Sequence, residues 1–166
     1  MDVVLGLFKN PSWDIVLFIF LLSCGFFWGT TYGKRALSFI TISIYVLFAL
    51  WPFIPLDTIT AGRSVLEIWA IRGGIFILGL LFMLLFMFRS FRGALGGGGG
   101  EGVWWEILLL SILGAGLLIS IFLGLAPPEA IKGDLLSLTP LTYQIFTSAM
   151  VAKWWIILPI FGVLFL

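Results

Sequence analysis

The stretch SWDIVLFIFLLSCGFFWGTTYGKR, from Ser12 to Arg35, decides the fold. It is an apolar run long enough to cross a bilayer, and it ends at two adjacent cations. Its glycines recur at a spacing of four, which places them on one helix face where another helix can approach closely: Gly25, Gly29 and Gly33. The stretch predicts a first membrane helix that is retained rather than cleaved, because no A-x-A site is present and further apolar runs follow.

Composition extends this interpretation to the whole chain. Of its 166 residues, 61% are hydrophobic and 10% are charged, and the mean hydropathy is +1.21. Soluble domains are about half apolar and about a quarter charged, so this is the composition of a membrane protein. The net charge of +1 argues against a nucleic-acid partner. The bilayer itself is the expected partner.

The chain has no histidine and one cysteine. A Cys/His metal cluster and an intrachain disulfide are therefore excluded, and we expect no cofactor. Cys24 lies mid-helix beside Gly25 and is interpreted as a small packing residue rather than a reactive thiol. Without histidine there is no Ser-His-Asp triad, and nothing places a serine beside Lys153 for a Ser-Lys dyad, so we do not expect an enzyme.

Five apolar runs predict an all-α, polytopic membrane bundle of four to five transmembrane helices in one domain. The predicted spans cover approximately residues 13–33, 36–54, 73–89 and 103–126, with a candidate fifth at 143–166. Leu56 to Arg72 is the most polar part, and we interpret it as a loop with a short interfacial helix between spans two and three. The third run is short for a span, and flanking Arg72 and Arg89 would extend it by snorkelling.

The last run contains Lys153 and Pro159. A lysine at the bilayer centre costs about 2.5–3.5 kcal/mol, so the run is either a fifth span or a half-buried hairpin. Gly96–Gly100 is interpreted as a flexible connector, since no P-loop sequence accompanies it.

The distribution of cations predicts the orientation. The turns after spans one and three contain Lys34, Arg35, Arg89 and Arg92, and the other side contains an equal number. The first group lies within one turn of the span ends, where cations have most influence. We therefore expect the N-terminus outside and the polyglycine loop in the cytoplasm.

A second set of small residues follows one face of the fourth span: Gly116, Ser120 and Gly124. It occupies the opposite half of the membrane from the first set, and the two share a level only near Gly25 and Gly116. We therefore expect the first set to pack on the start of span two, Ala36 to Ser43. The second set is then free to pack on the third helix, on the last segment or on another copy of the chain.

Three charges are candidates for function. Asp14 begins an apolar helix, where it either complements the helix dipole by about 0.3–1 kcal/mol or has a functional role. Glu106 lies beside Trp104 and Trp105, at interface depth, and is expected to pair with Arg89 or Arg92. Lys153 is either an intramembrane functional group or a snorkelling side chain.

The first hairpin resembles the colicin V production protein family. An aspartate opens an apolar helix and is followed by G-x-x-x-G-x-x-x-G-[KR]-R-x-L-S, carried here by Asp14, Gly25, Gly29, Gly33, Lys34, Arg35, Leu37 and Ser38. The glycine-rich loop after R-S-F-R and the fourth span extend the likeness over roughly residues 12–126. The sequence departs from the family in lacking an acidic residue after the basic pair and in having an apolar C-terminal run.

The resemblance implies a bacterial inner-membrane protein linked to toxin production or export and to envelope homeostasis, without catalytic activity. We accordingly expect a non-enzymatic membrane protein that acts through helix–helix assembly, as a homo-oligomer or with another membrane protein. The alternative is a small transporter or channel in which Asp14, Glu106 or Lys153 lines a polar path.

Overall fold

The computed structural model describes residues 13–90, 103–126, 142–148 and 151–166, and every regular element in them is helical. In chain order these are α1 (Trp13–Tyr32), α2 (Lys34–Leu50), a 3₁₀ turn (Trp51–Phe53), α3 (Leu56–Thr60), α4 (Val65–Ser90), α5 (Trp104–Gly124), a π-helical turn (Tyr143–Thr147) and α6 (Val151–Phe165). Four of them, α1, α2, α4 and α5, are long and apolar enough to cross a membrane. The prediction of an all-α bundle is confirmed, and the chain is a multi-pass membrane protein.

α1 and α2 form a hairpin joined by Gly33 alone. Gly33 has a φ of 84°, and its N–H donates to the carbonyl of Gly29 at 2.8 Å. A side chain at this φ crowds the backbone, so the turn requires glycine. The sequence predicts both a tight turn around Gly33 and a packing face that Gly33 shares with Gly25 and Gly29, and the structure places Gly33 in the turn.

α4 begins at Val65, eight residues before the predicted start of the third span at Gly73. Ser64 and Glu67 cap it reciprocally. The N–H of Ser64 donates to Glu67 Oε2 at 2.9 Å, and the N–H of Glu67 donates to Ser64 Oγ at 3.4 Å. This capping box starts the helix in the polar segment. With 26 residues, α4 extends about 39 Å and needs no snorkelling to cross. The short helix between spans two and three is therefore α3.

α5 is the most enclosed of the four long helices, with 56% of its span buried against 33% for α2 and less for α1 and α4. It packs against α1, α2, α6 and the π-helical turn. Its main cluster joins Ile44 and Leu47 of α2 and Phe76 of α4 to Leu117 and Ile121 of α5. α5 is thus the axis of the bundle.

The last segment runs along α5 in two pieces, rather than as the unbroken span or hairpin expected. Phe146 of the π-helical turn packs with Leu123 near the C-terminal end of α5. Farther along, Trp155 lies on Gly116, and Gly162 lies against Leu113. α6 alone has 15 residues and extends about 22 Å, less than a hydrocarbon core of about 30 Å. Turn and helix together cover the length of α5.

The close approach at Gly29 predicts a specific sensitivity to size. A Cβ there would lie 2.5 Å from Ile107 Cγ2 and 2.5 Å from Leu37 Cδ1, whereas one on Gly74 of α4 would meet nothing within 4 Å. We expect Gly29→Leu to lower the free energy of unfolding by about 1–3 kcal/mol, the usual cost of overpacking. Gly74→Leu is the matched control and should leave it unchanged. Detergent unfolding followed by circular dichroism measures both, and equal effects of the two substitutions would contradict the close packing.

Candidate functional site

Asp14 lies in the first turn of α1 and is buried, with 5% of its surface exposed. Its Oδ1 accepts the N–H of Ile15 at 2.9 Å. The positive end of the helix dipole favours a carboxylate at this position. Burial shows that Asp14 does more than cap an exposed helix end, because its side chain faces the interior of the bundle.

A cavity of about 440 Å³ adjoins Asp14. Its wall combines side chains of α1, α4, α5, α6 and the segment that contains the π-helical turn, among them Phe18, Phe76, Phe122 and Phe146. Asp14 and the buried Thr142 bring a carboxylate and a hydroxyl to this otherwise largely apolar wall. Ligand pockets typically enclose about 300–1,000 Å³ and pair an apolar wall with a few polar groups, so the cavity has the features of a binding site.

Trp155 lines one side of the cavity, and its position explains why residue 116 is a glycine. Its indole N–H donates to the carbonyl of Ile145 at 3.0 Å, and its ring stacks on Phe146 with centroids 5.2 Å apart. A Cβ on Gly116 would overlap the Trp155 ring. Gly116, predicted to be a packing residue, thus receives the aromatic side chain that holds the π-helical turn against α6.

Lys34 joins three helices at the opposite end of the bundle. Its Nζ lies 2.8 Å from Glu106 Oε2 in the first turn of α5, and it donates to the carbonyl oxygen of Leu166 at 2.7 Å. Both side chains of the pair are partly buried, at 32% and 16% exposure. Glu106 was expected to pair with Arg89 or Arg92, but its partner in the described part of the chain is Lys34. Arg92 lies outside the described residues.

Lys153 lies near the start of α6, and its side chain is exposed rather than part of the cavity wall. The neighbouring Trp154 is also exposed, at 54%. An exposed lysine beside an exposed tryptophan near a helix end is the arrangement that permits snorkelling to the membrane surface. The structure does not bring Lys153 together with Asp14 or Glu106. Of the other topology cations, Arg35 and Arg89 are exposed.

The small residues of the first set contact two helices, α5 and α2. A Cβ on Gly25 would lie 3.3 Å from the Cβ of Ser111, so this glycine faces α5, and Gly29 faces both α5 and Leu37 of α2. The first set therefore packs largely on α5 rather than on the start of α2 alone. In the second set Ser120 is buried, while Gly124 is exposed with open space around it.

Three site residues had no signal in the sequence. Thr142 and Trp155 line the cavity, and the hydroxyl of Tyr45 in α2 donates to the carbonyl of Ile156 in α6. Trp155 contacts Gly116 and Tyr45 contacts Ile156, both distant in sequence, and a local pattern cannot reveal such pairs. Comparisons with protein-family models, with curated proteins and with solved structures find no match to the chain.

The Lys34–Glu106 pair predicts a measurable coupling. In a double-mutant cycle of Lys34→Met and Glu106→Gln, we expect a coupling energy of about 1 kcal/mol, because both groups are partly withdrawn from solvent and neighbouring residues couple by about 0.5–3 kcal/mol. Detergent unfolding of the four variants measures it.

The control is a second ion pair, Arg72 with Asp57, whose nitrogen and oxygen are 3.5 Å apart and whose Asp57 side chain is 100% exposed. The cycle of Arg72→Met with Asp57→Asn should give a coupling near zero, as exposed pairs do. Equal couplings for the two pairs would show that Lys34 does not join the helices.

Proposed function

We propose that this chain is a non-enzymatic component of the bacterial inner membrane that supports toxin production or export, or envelope homeostasis, by assembling with a second copy of itself. The resemblance of the first hairpin to the colicin V production family supports the cellular role. The exposed face of α1 supports the mode of action, and it is the observation on which the proposal depends.

α1 has two unlike faces. Gly25 and Gly29 lie against the bundle. The opposite side carries four small polar residues, all exposed, among larger apolar ones: Ser23, Cys24, Thr30 and Thr31. Cys24 was interpreted as packing within the bundle, and the structure places it on this outer face instead. Lipid-facing positions favour large apolar side chains, whereas small residues with hydroxyl groups are typical of helix–helix contacts.

The hydroxyl groups on this face already have acceptors. Ser23 donates to the carbonyl of Ile19 at 2.7 Å, and Thr30 and Thr31 donate to that of Phe27 at 2.9 and 2.8 Å. Another helix can therefore approach without leaving an unpaired donor in the membrane, which would cost several kcal/mol. The spacing from Ser23 to Thr30 is one heptad, so two copies of α1 can pack along a common seam.

The geometry favours assembly over the transporter alternative. Asp14 lies at the start of α1, while Glu106 lies at its far end beside Lys34, about 27 Å away along the helix. Glu106 is occupied by Lys34, and Lys153 is exposed away from the cavity. A polar path requires charges that follow one another through the bundle, and these three do not.

Cys24 provides a direct test of the assembly. In membranes treated with a mild oxidant, we expect the native chain to form a disulfide-linked dimer, because a symmetric α1 seam brings the two thiols together. The dimer is read on a non-reducing gel and should disappear in Cys24→Ser.

The matched control moves the thiol to another exposed position. Leu81 of α4 is 51% exposed. Leu81→Cys in the Cys24→Ser background should stay monomeric under the same oxidation. Equal cross-linking from α1 and α4 would indicate random collision and would remove the support for a specific α1 interface.

The proposed orientation is tested separately. We expect a reporter inserted between Gly98 and Gly99 to lie in the cytoplasm, because Lys34, Arg35 and Arg89 flank the span ends on that side. A reporter inserted between Ala61 and Gly62, in the exposed turn after α3, should lie outside. Paired fluorescent-protein and alkaline-phosphatase fusions read the two locations, and the reverse pattern would invert the proposed topology.

A further inference from the structure

We propose that the cavity between α1 and α4 holds one long acyl chain, which it recognises by length and not by the polar group attached to it. This inference is independent of the assembly proposed above, because it concerns the inner side of α1. It rests on the place of the cavity among the helices, on its opening, on the apolar character of its wall and on its volume.

The cavity is a gap between two membrane-spanning helices. Leu17 and Leu21 line it from α1, Phe76 and Ile77 line it from α4, and α5 and the π-helical turn complete the wall. α2 packs on both α1 and α4 but contributes no residue to the wall in the part of the chain that the structure describes. The gap between α1 and α4 therefore lies on the side of the bundle away from α2.

The opening of the cavity faces the hydrocarbon of the bilayer. Ile77 of α4 and Ile145 of the π-helical turn belong to the wall and are still 49% and 41% exposed, so they mark the mouth. Ile77 lies five residues after Arg72, the last charged residue before the apolar part of α4, and therefore about 8 Å deeper along the helix. An acyl chain enters there without leaving an apolar medium.

The wall favours an apolar occupant. Its two polar side chains, Asp14 and Thr142, already have interactions within the chain, and the indole N–H of Trp155 donates to the carbonyl of Ile145. The other wall residues are aliphatic or phenylalanine, and an ordered water needs about two to four polar partners, so the cavity does not suit water. An empty cavity would deprive its wall of dispersion contacts, which an acyl chain from the bilayer restores.

The volume of the cavity sets the length of the chain. An engineered protein cavity of about 150 Å³, also lined by Leu, Ile and Phe, holds one benzene molecule. The cavity beside α1 measures about 440 Å³. By proportion to the six carbon atoms of benzene, it has room for about 18 carbon atoms, the length of a stearoyl chain. A shorter chain leaves part of the wall without contacts, and the excess of a longer chain stays outside the mouth.

Native mass spectrometry of the purified full chain tests the proposal. The protein is incubated with an equimolar mixture of dilauroyl-, distearoyl- and dibehenoyl-phosphatidylglycerol. We expect one lipid to be retained, with stearoyl and behenoyl chains alike and each about tenfold over lauroyl, the ratio given by about 1.4 kcal/mol. The same series with ethanolamine headgroups should give the same ratios. Equal retention of lauroyl and stearoyl chains, or a preference set by the headgroup, would overturn the proposal.

A further arm identifies the source of the chain. Stearic acid and distearoyl-phosphatidylglycerol are offered together, each against its lauroyl counterpart. Retention of the phospholipid identifies the bilayer as the source, and retention of the acid identifies free fatty acids. The preference for stearoyl over lauroyl should hold for whichever is retained, and its absence from both would contradict recognition by length.

Two substitutions in the wall change the volume in opposite directions. Leu21→Trp fills part of the cavity and should reduce retention of the stearoyl lipid about tenfold, again about 1.4 kcal/mol. Leu78→Trp is the matched control, because Leu78 of α4 is 67% exposed and lies outside the wall, and it should retain the lipid as the native chain does. Equal losses in the two variants would contradict binding in the cavity.

Phe18→Ala keeps the proposal testable if Leu21→Trp does not fold. Phe18 lines the cavity, and loss of its ring leaves room for about six more carbon atoms. We expect this variant to retain the behenoyl lipid over the stearoyl lipid, whereas the native chain retains them alike. An unchanged length preference in Phe18→Ala would show that the cavity does not hold the chain.

Discussion

The close approach of other elements to α5 is the constraint on which the structure depends. In a bilayer an apolar side chain gains nothing by exchanging lipid for another helix, so association depends on close packing and on a few polar contacts. Gly25 and Gly29 let α1 lie on Ser111 and Ile107, and Gly116 receives the ring of Trp155. Each contact needs a position without a side chain. The glycines therefore determine which helices can reach the axis of the bundle.

Lys34 adds a polar contact at the end of the bundle where Leu37, Ile107 and Leu110 form a buried hydrophobic cluster. It begins α2, pairs with the first turn of α5 and donates to the last carbonyl of the segment that follows α6. The ends of three helices, α2, α5 and α6, are thereby held at one level. The same residue belongs to the cation group from which the orientation is predicted. Because Glu106 neutralises Lys34, the exposed Arg35 and Arg89 remain the described cations that bear on topology at this end.

The sequence was informative wherever the signal was local. Uninterrupted apolar runs located α1, α2 and α5, and Gly33 marked the turn between the first two. The predicted third span begins eight residues after the start of α4, because the segment from Leu56 to Arg72 is polar on average. The capping box at Ser64 and Glu67, which starts the helix earlier, is nevertheless present in the sequence. The partners of Gly116 and Lys34 lie far along the chain. Such pairings depend on how helices are arranged around α5, and no local pattern contains them.

The two ends of α1 differ in what surrounds their buried polar groups. A charge withdrawn from water requires a partner, and at the Lys34 end the chain supplies both acceptors, at 2.8 and 2.7 Å. At the other end Asp14 borders a cavity, and Trp69 Nε1 and Arg72 Nε are buried without an acceptor among the described residues. The first arrangement is complete without a ligand and serves the fold. Asp14 faces inward and Ser23 and Cys24 face outward, so the cavity and the face proposed for assembly lie on opposite sides of one helix.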